Sequence, residues 1–299
     1  LYVAWFSDRT GTGDIYVMRT DQGTQWSEPA RVTTDQGGDF APSLIQDGAG
    51  VFHLAWFRWT APFLGHIWYN RSADGLTWDP EDEVRVTDEV GVDDWVPTLV
   101  EAPDGGLVVY FASALRNESD GVTDLYMSRL PPGGAPWSDA RRVVGLNSAA
   151  EHDHLPNVTR MGDRIGITWV RHDTSEALPW LNRRSHIYYA TSPDGEIWGS
   201  PVALTSDPGP IVNLFPGLYQ EGGSRWRINW LSTRTGDPVL YDARVTSTGE
   251  TAGGPARVDG VGPGYSHRIV WTGSGRVHLG VWVTGPEGSQ DLEYRFFRR

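Results

Sequence analysis

Short runs of alternating apolar and polar residues, rich in aromatic and β-branched side chains, return at regular spacing along this chain. One run reads Val3-Ala4-Trp5-Phe6, Leu54-Ala55-Trp56-Phe57, Val108-Val109-Tyr110-Phe111, Ile167-Thr168-Trp169-Val170, Ile228-Asn229-Trp230-Leu231 and Gly280-Val281-Trp282-Val283. Its aromatic residue recurs about every 50–60 residues, a period that marks a repeated supersecondary unit. A second run follows each copy: Asp14-Ile15-Tyr16, His66-Ile67-Trp68, Asp124-Leu125-Tyr126, His186-Ile187-Tyr188, Val239-Leu240-Tyr241 and the weaker Asp291-Leu292-Glu293-Tyr294. Period-two patterning and this residue choice predict half-buried and buried β-strands.

Turns and one further strand complete the unit. Ser72-Ala73-Asp74-Gly75-Leu76-Thr77-Trp78 and Ser192-Pro193-Asp194-Gly195-Glu196-Ile197-Trp198 share a polar turn closed by a Trp. Their Asp-Gly pair supplies the positive φ that a hairpin turn requires. Each unit then ends on a strand such as Arg31-Val32-Thr33, Arg85-Val86-Thr87 or Arg142-Val143-Val144. Four of the six units open on a polar residue three positions before a proline: Asp39-Phe40-Ala41-Pro42, Asp94-Trp95-Val96-Pro97, Asp153-His154-Leu155-Pro156 and Asn213-Leu214-Phe215-Pro216. Four short strands per unit predict an all-β, six-bladed β-propeller of four-stranded antiparallel blades. The blades fall near 1–33, 34–87, 88–144, 145–205, 206–260 and 261–299, in a single domain spanning 1–299. The first and last are incomplete, so either the two termini close one blade together or strands are missing from the sequence.

Composition narrows the function. The formal net charge is −13, and phosphate binding needs a basic surface, so nucleic acid is not expected as a partner. There are no cysteines, which removes disulfides and thiolate metal sites. Mean hydropathy is −0.39 and no apolar run is long enough to span a membrane. Leu1 begins inside a strand pattern, as in a trimmed mature chain.

In the order Pro-x-Leu, Asp-Gly, Ala-Trp, Asp-Ile-Tyr, Ser-x-Asp-Gly and Trp, the chain resembles the Asp-box (BNR-repeat) sialidase-like propellers. The boxes are one residue shorter than the family's usual form. The resemblance implies a secreted or cell-surface bacterial protein that handles glycans. True sialidases carry a Phe/Tyr-Arg-Ile-Pro motif; here the nearest stretch is His267-Arg268-Ile269-Val270, without the proline or the leading aromatic.

In a four-stranded blade, the start of the inner strand and the end of the second strand lie on the same face. That face should collect Asp39, Asp94, Asp153 and Asn213 around the axis. Two readings fit them: each caps its own turn through backbone N–H groups, or together they hold Ca²⁺ or another divalent cation. No cofactor is otherwise required. The stretch Glu151-His152-Asp153-His154 adds two imidazoles to the shared frame. Two histidines one residue apart on a strand point to the same side. They could act in acid–base catalysis, bind a transition metal with His172 or His267, or fill a polar channel mouth.

The catalytic candidates are His152, His154, Asp153, Asp94, His267 and Tyr265. Arg58, Arg116 and Arg171 fall in loops that differ between units and suit an anionic sugar, because a guanidinium grips carboxylate bidentately. Arg9 and Arg234 sit in near-identical contexts and read as bridges between neighbouring blades. Trp59 and Trp95, with Asp39, complete the substrate-binding candidates through sugar stacking and hydrogen bonding. The long segment 171–185 contributes Asp173, Glu176, Trp180 and Arg183-Arg184.

The function expected is a glycan-active enzyme, a sialidase-like glycoside hydrolase or a polysaccharide lyase, acting as a monomer with one pocket on oligo- or polysaccharide. The alternative is a non-catalytic lectin or adhesion module. Lectin propellers repeat equal sites, whereas the aligned positions here read Asp-Phe, Asp-Trp, Asp-His and Asn-Leu.

Overall fold

The computed structural model describes residues 1–21, 25–61, 64–114, 116, 122–134, 136–172, 184–222, 225–248, 250–258, 270–272, 277–284 and 291–298, the last three ranges as backbone. It is all-β, with a single 3₁₀ turn at Pro80–Asp82 among the described residues. The chain divides into two compact units, Leu1–Val143 and Val144–Arg299.

The first unit holds three antiparallel sheets. The first comprises β1 (Tyr2–Ser7), β2 (Asp14–Arg19) and β3 (Ala30–Arg31). The second comprises β4 (Gly38–Gln46), β5 (Phe52–Ala61), β6 (Leu64–Ser72) and β7 (Val84–Arg85). The third comprises β8 (Asp93–Glu101), β9 (Leu107–Ala114), β10 (Asp124–Leu130) and β11 (Arg141–Arg142).

The second unit repeats the plan. Its sheets are β12 (His152–Met161), β13 (Arg164–His172), β14 (Ser185–Ser192), β15 (Val202–Ala203), then β16 (Asn213–Gly222), β17 (Arg225–Ser232), β18 (Val239–Thr246), β19 (Thr251–Arg257), and finally β20 (Val270–Thr272), β21 (Val277–Thr284), β22 (Asp291–Arg298). In every sheet the strands lie in chain order. Among the described residues the first and last sheets have three strands and the other four sheets have four.

Sheets pack face to face inside each unit, β8 against β4, β5 and β6, and β16 against β12, β13 and β14. Middle strands are therefore covered on both faces, and β9, Leu107-Val108-Val109-Tyr110-Phe111-Ala112-Ser113, is buried at every one of these positions. The layer between the first two sheets contains Ile15, Val17, Phe52, Leu54, Trp56 and Trp78. Trp56, Trp169 and Trp230 occupy equivalent places and are fully buried. Removing a side chain of that size from water contributes about 4–6 kcal/mol before chain entropy is charged against it.

The polar turns behave as their sequence predicts. Ser72 Oγ accepts from the N–H of Gly75 at 2.9 Å, and Asp74 Oδ1 accepts from Leu76 N at 2.8 Å and Thr77 N at 2.7 Å. Gly75 has φ +74°, and Trp78 closes over the turn with its Nε1 donating to Gly75 O. The Ser192–Trp198 turn repeats the Ser and Asp bonds. These hydrogen bonds, with that to Thr77 N foremost, hold the Asp74 carboxyl well below the usual carboxylate range.

Candidate functional site

The proline slot is a β-bulge. The β4–β5 register slips between Phe40 and Ser43, and the same slip occurs between Trp95 and Thr98, His154 and Asn157, and Leu214 and Gly217. At each slip two residues, an X-Pro pair, stand opposite one on the partner strand. Proline cannot donate to the ladder, so the strand bulges there. The residue before each proline is left-handed: Ala41 φ 49°, Val96 φ 51°, Leu155 φ 50° and Phe215 φ 54°. A left-handed L-residue costs roughly 1–2 kcal/mol, and four copies of that cost imply a shared purpose.

The purpose is visible at the polar residue that opens each slot. Asp39, Asp94, Asp153 and Asn213 are all fully buried. Asp39 accepts from Trp56 Nε1 at 2.8 Å, Asp153 from Trp169 Nε1 at 2.7 Å and Asn213 from Trp230 Nε1 at 3.0 Å. Arg58 grips Asp39 bidentately at 2.6 and 3.2 Å, Arg116 grips Asp94 at 2.9 and 2.6 Å, and Arg171 grips Asp153 at 2.8 and 3.0 Å. Asn213 has no charge to offer, and Arg234 turns instead to Asp207, with both bonds at 2.8 Å. The frame is thus a buried polar residue, a ring N–H and a guanidinium, repeated from sheet to sheet.

Each guanidinium also lies over the aromatic of the next strand: Arg9 over Tyr16 at 4.6 Å, Arg58 over Trp68 at 4.5 Å, Arg116 over Tyr126 at 5.4 Å, Arg171 over Tyr188 at 4.4 Å and Arg234 over Tyr241 at 4.9 Å. The sequence separated Arg9 and Arg234 from Arg58, Arg116 and Arg171; the structure gives all five the same seat. Arg58, Arg116 and Arg171, read from the sequence as receivers of a substrate carboxylate, each already hold a buried aspartate. A second acid attends each: Glu83 on Arg58 at 3.1 Å, Glu89 on Arg116, and Glu151 near Arg171 at 3.8 Å.

Burial works against the Arg58 charge, but the hydrogen bonds and charge of Asp39 outweigh it and leave its pKa raised. Burial pushes Asp39 up, with Arg58 opposing. The pair stays ionised, since a guanidinium does not surrender its proton and a neutral Asp39 would strand it.

The third sheet corrects the repeat alignment. Phe111 pairs with Tyr126 in the ladder as Trp56 pairs with Trp68, so Phe111, not Tyr110, is the equivalent aromatic. Phenylalanine has no N–H, and Ser113 Oγ donates to Asp94 at 2.6 Å in its place.

The second unit adds chemistry to this frame. His154 and His172 are 3% and 1% exposed and stack with ring centroids 4.3 Å apart and planes 14° off parallel. His152 is half-buried and pairs with His172 across the ladder. Glu151 is half-exposed and accepts from Ser148 Oγ at 3.3 Å, while the Ser148 N–H donates to Asp153 at 2.6 Å. His186 lies opposite Arg171 in the next ladder. The accessible acid–base groups of this cluster are therefore Glu151 and His152, with the stacked imidazoles beneath.

Sequence reasoning missed His66 and His186 as a pair. They occupy the position that is Asp14 and Asp124 in other sheets, where the aspartates bind Arg31 and Arg142. The signal was present in the His-Ile-aromatic runs set beside Asp-Ile-Tyr and Asp-Leu-Tyr. Tyr265, His267 and residues 173–183 lie outside the described residues. Trp59 is 48% exposed, whereas Trp95 is half-buried.

The carboxylates read as candidate cation ligands present oxygens already bonded to guanidinium, indole or hydroxyl donors. Among the described residues no group of three or more His, Cys, Asp or Glu is placed to hold a metal ion. Asp39 bonds to the Trp56 and Arg58 side chains of the neighbouring strand, while Asp153 also accepts the backbone N–H of Ser148.

No family model matches the chain, and no curated protein matches it. Solved structures share its fold. An α-L-arabinofuranosidase from Fusarium graminearum superposes with TM-score 0.73 at 14% identity, over 99% of this chain and 89% of that one. A PL25 ulvan lyase matches with TM-score 0.60 at 12% identity, over 99% and 77%. A Hadza microbial sialidase matches with TM-score 0.61 at 14% identity, over 95% of this chain and 64% of its own length. These are propeller-fold proteins, and the likeness is one of fold.

Proposed function

We propose that this protein is a glycan-active enzyme, a glycoside hydrolase or polysaccharide lyase, whose chemistry sits at the Glu151–His154 edge of the second unit. The observation that carries the reading is the departure from the shared frame: one sheet alone among those described adds His152, His154 and His172 around the common Asp–Arg pair and its attendant acid, here Glu151. The fold likeness to glycosidases and a lyase supports it as analogy, since one fold hosts many activities. Glu151 or His152 would move the proton, because both are accessible to substrate. Buried His154 and His172 would fix the ring and strand positions. Six copies of one blade unit, a monomeric state and export from the cell belong to the same proposal and rest on the repeat and the resemblance.

The anionic sugar expected from the sequence loses its support when Arg58, Arg116 and Arg171 turn inward to aspartates. A purely carbohydrate-binding protein is the second reading, favoured by the exposed Trp59. A screen of neutral and anionic polysaccharides, followed by reducing ends and by unsaturated uronate absorbance, separates the two. Activity in the wild type that falls by about 10²-fold or more in His152→Ala or Glu151→Gln supports the enzyme. Binding without turnover in the wild type selects the second reading. Turnover that survives both substitutions removes this edge from the mechanism.

A further inference from the structure

We propose that Phe6, Phe40 and Trp59 in the first unit form a shelf that binds an uncharged sugar ring; this rests on the glycan reading above and names its substrate class. Phe40 is the centre of the shelf. Its ring centroid lies 5.3 Å from Phe6, 4.9 Å from Trp59 and 5.5 Å from Phe57. Glycines make room for it on two sides. A Cβ on Gly38 would stand 2.6 Å from the Phe40 ring, and one on Gly13 would stand 3.1 Å from it. The ring is therefore held by backbone, and it supports two neighbours that face solvent. Phe6 is 38% exposed and Trp59 48%, and they are the two aromatics among the exposed large hydrophobics of the described residues.

Charge around the shelf selects the ligand. Arg58 precedes Trp59 and is ringed by Asp39 at 2.6 Å, Glu83 at 3.1 Å and Asp35 at 3.9 Å. One cation stands against three carboxyl groups. In the turn after β1, Asp8 and Arg9 offset each other. A carboxylate or sulfate on the ligand would meet net negative charge here. A neutral sugar offers instead an apolar C–H face for the rings and hydroxyl donors for the half-exposed Asp35.

Size argues the same way. The exposed parts of one Trp and one Phe amount to something on the order of 200 Å², enough for one or two sugar rings. A stable interface with a second copy needs about 800 Å² on each partner.

The test is titration calorimetry of the whole protein with arabino-, xylo- and gluco-oligosaccharides and with oligogalacturonate. Wild type is compared with Phe6→Ala, Trp59→Ala and Trp59→Phe, each checked for an unchanged melting transition. A neutral oligosaccharide should bind, Trp59→Ala should weaken it roughly tenfold, equivalent to about 1.4 kcal/mol, and Trp59→Phe should restore much of the loss. Phe6→Ala is expected to act in the same direction by a smaller factor. Wild-type affinity in Trp59→Ala overturns the shelf while leaving glycan turnover at the second unit standing. Tighter binding of oligogalacturonate than of every neutral ligand overturns the assigned class. If no ligand is bound or turned over, both the shelf and the glycan reading fall. Sedimentation that shows self-association abolished by Trp59→Ala, with sugar binding unaltered, makes the surface an interface between copies instead.

Discussion

Arg171 and Asp153 face each other across the β12–β13 ladder and join through two parallel hydrogen bonds, Nε to Oδ1 at 2.8 Å and Nη2 to Oδ2 at 3.0 Å. The same carboxylate also accepts the Trp169 indole and the Ser148 N–H. Asp153 is thus bonded to two side chains of the neighbouring strand and to the segment that precedes its own strand, next to His152 and Glu151.

Asp153→Asn should be strongly destabilising. It leaves the Arg171 guanidinium buried, with Glu151 at 3.8 Å as the remaining nearby acid. Breaking one side of a buried pair costs about 3–5 kcal/mol. Asn is tolerated at 213 because Asp207 supplies the charge to Arg234. The double variant Asp153→Asn/Arg171→Met should recover more than half of the loss, since no charge is stranded. Urea unfolding midpoints check both outcomes; a neutral single variant would mean the pair is not ionised.

Ala41→Gly should stabilise the protein by about 1 kcal/mol, although glycine normally weakens a strand. Ala41 has φ 49° ahead of Pro42, where an L side chain is strained. Ala55→Gly, in the fully buried interior of β5, is the control and should lose stability instead. Opposite signs at the two positions, measured by chemical denaturation, would establish that the bulge stores strain; a loss at both would show that it does not.

Much of this organisation was legible in the chain. The proline slot, the Asp-Gly turns and the aromatic strands fixed where elements begin and end, because turn chemistry and period-two patterning are local properties. Pairing across the ladder is not local. Tyr110 looked like the repeat aromatic by spacing, yet register gives that place to Phe111, with Ser113 replacing the missing indole donor. The common seat of the arginines was hidden for a related reason. Their distances along the chain from the Trp differ, so Arg58 and Arg234 looked unlike, although both lie over the same aromatic of the following strand. The histidines at 66 and 186 escaped notice because their meaning lies in the contrast with aspartate at the same rung.

That contrast yields a pH dependence. His66 is buried at the start of β6, opposite Arg58 in the ladder. Burial lowers its pKa, and the Arg85 and Arg116 charges lower it further against the opposing pull of Asp94 and Asp88. At the equivalent rung Asp14 receives Arg31 at 2.8 Å and Asp124 receives Arg142 at 2.6 Å, so the site is built for a negative or neutral group. In the unfolded chain the imidazole titrates near its ordinary value of 6.5, and the folded chain binds that proton less readily. The unfolded state therefore holds more protons in this range, and stability rises with pH. The His66 contribution is complete above the ordinary imidazole value and is lost as pH falls below it. His66→Gln, which cannot take up the proton, should flatten the part of the stability profile that falls away as pH drops below the ordinary imidazole value of 6.5. Denaturation midpoints of wild type and variant across that range decide the matter: parallel profiles would show that His66 is not the group responsible.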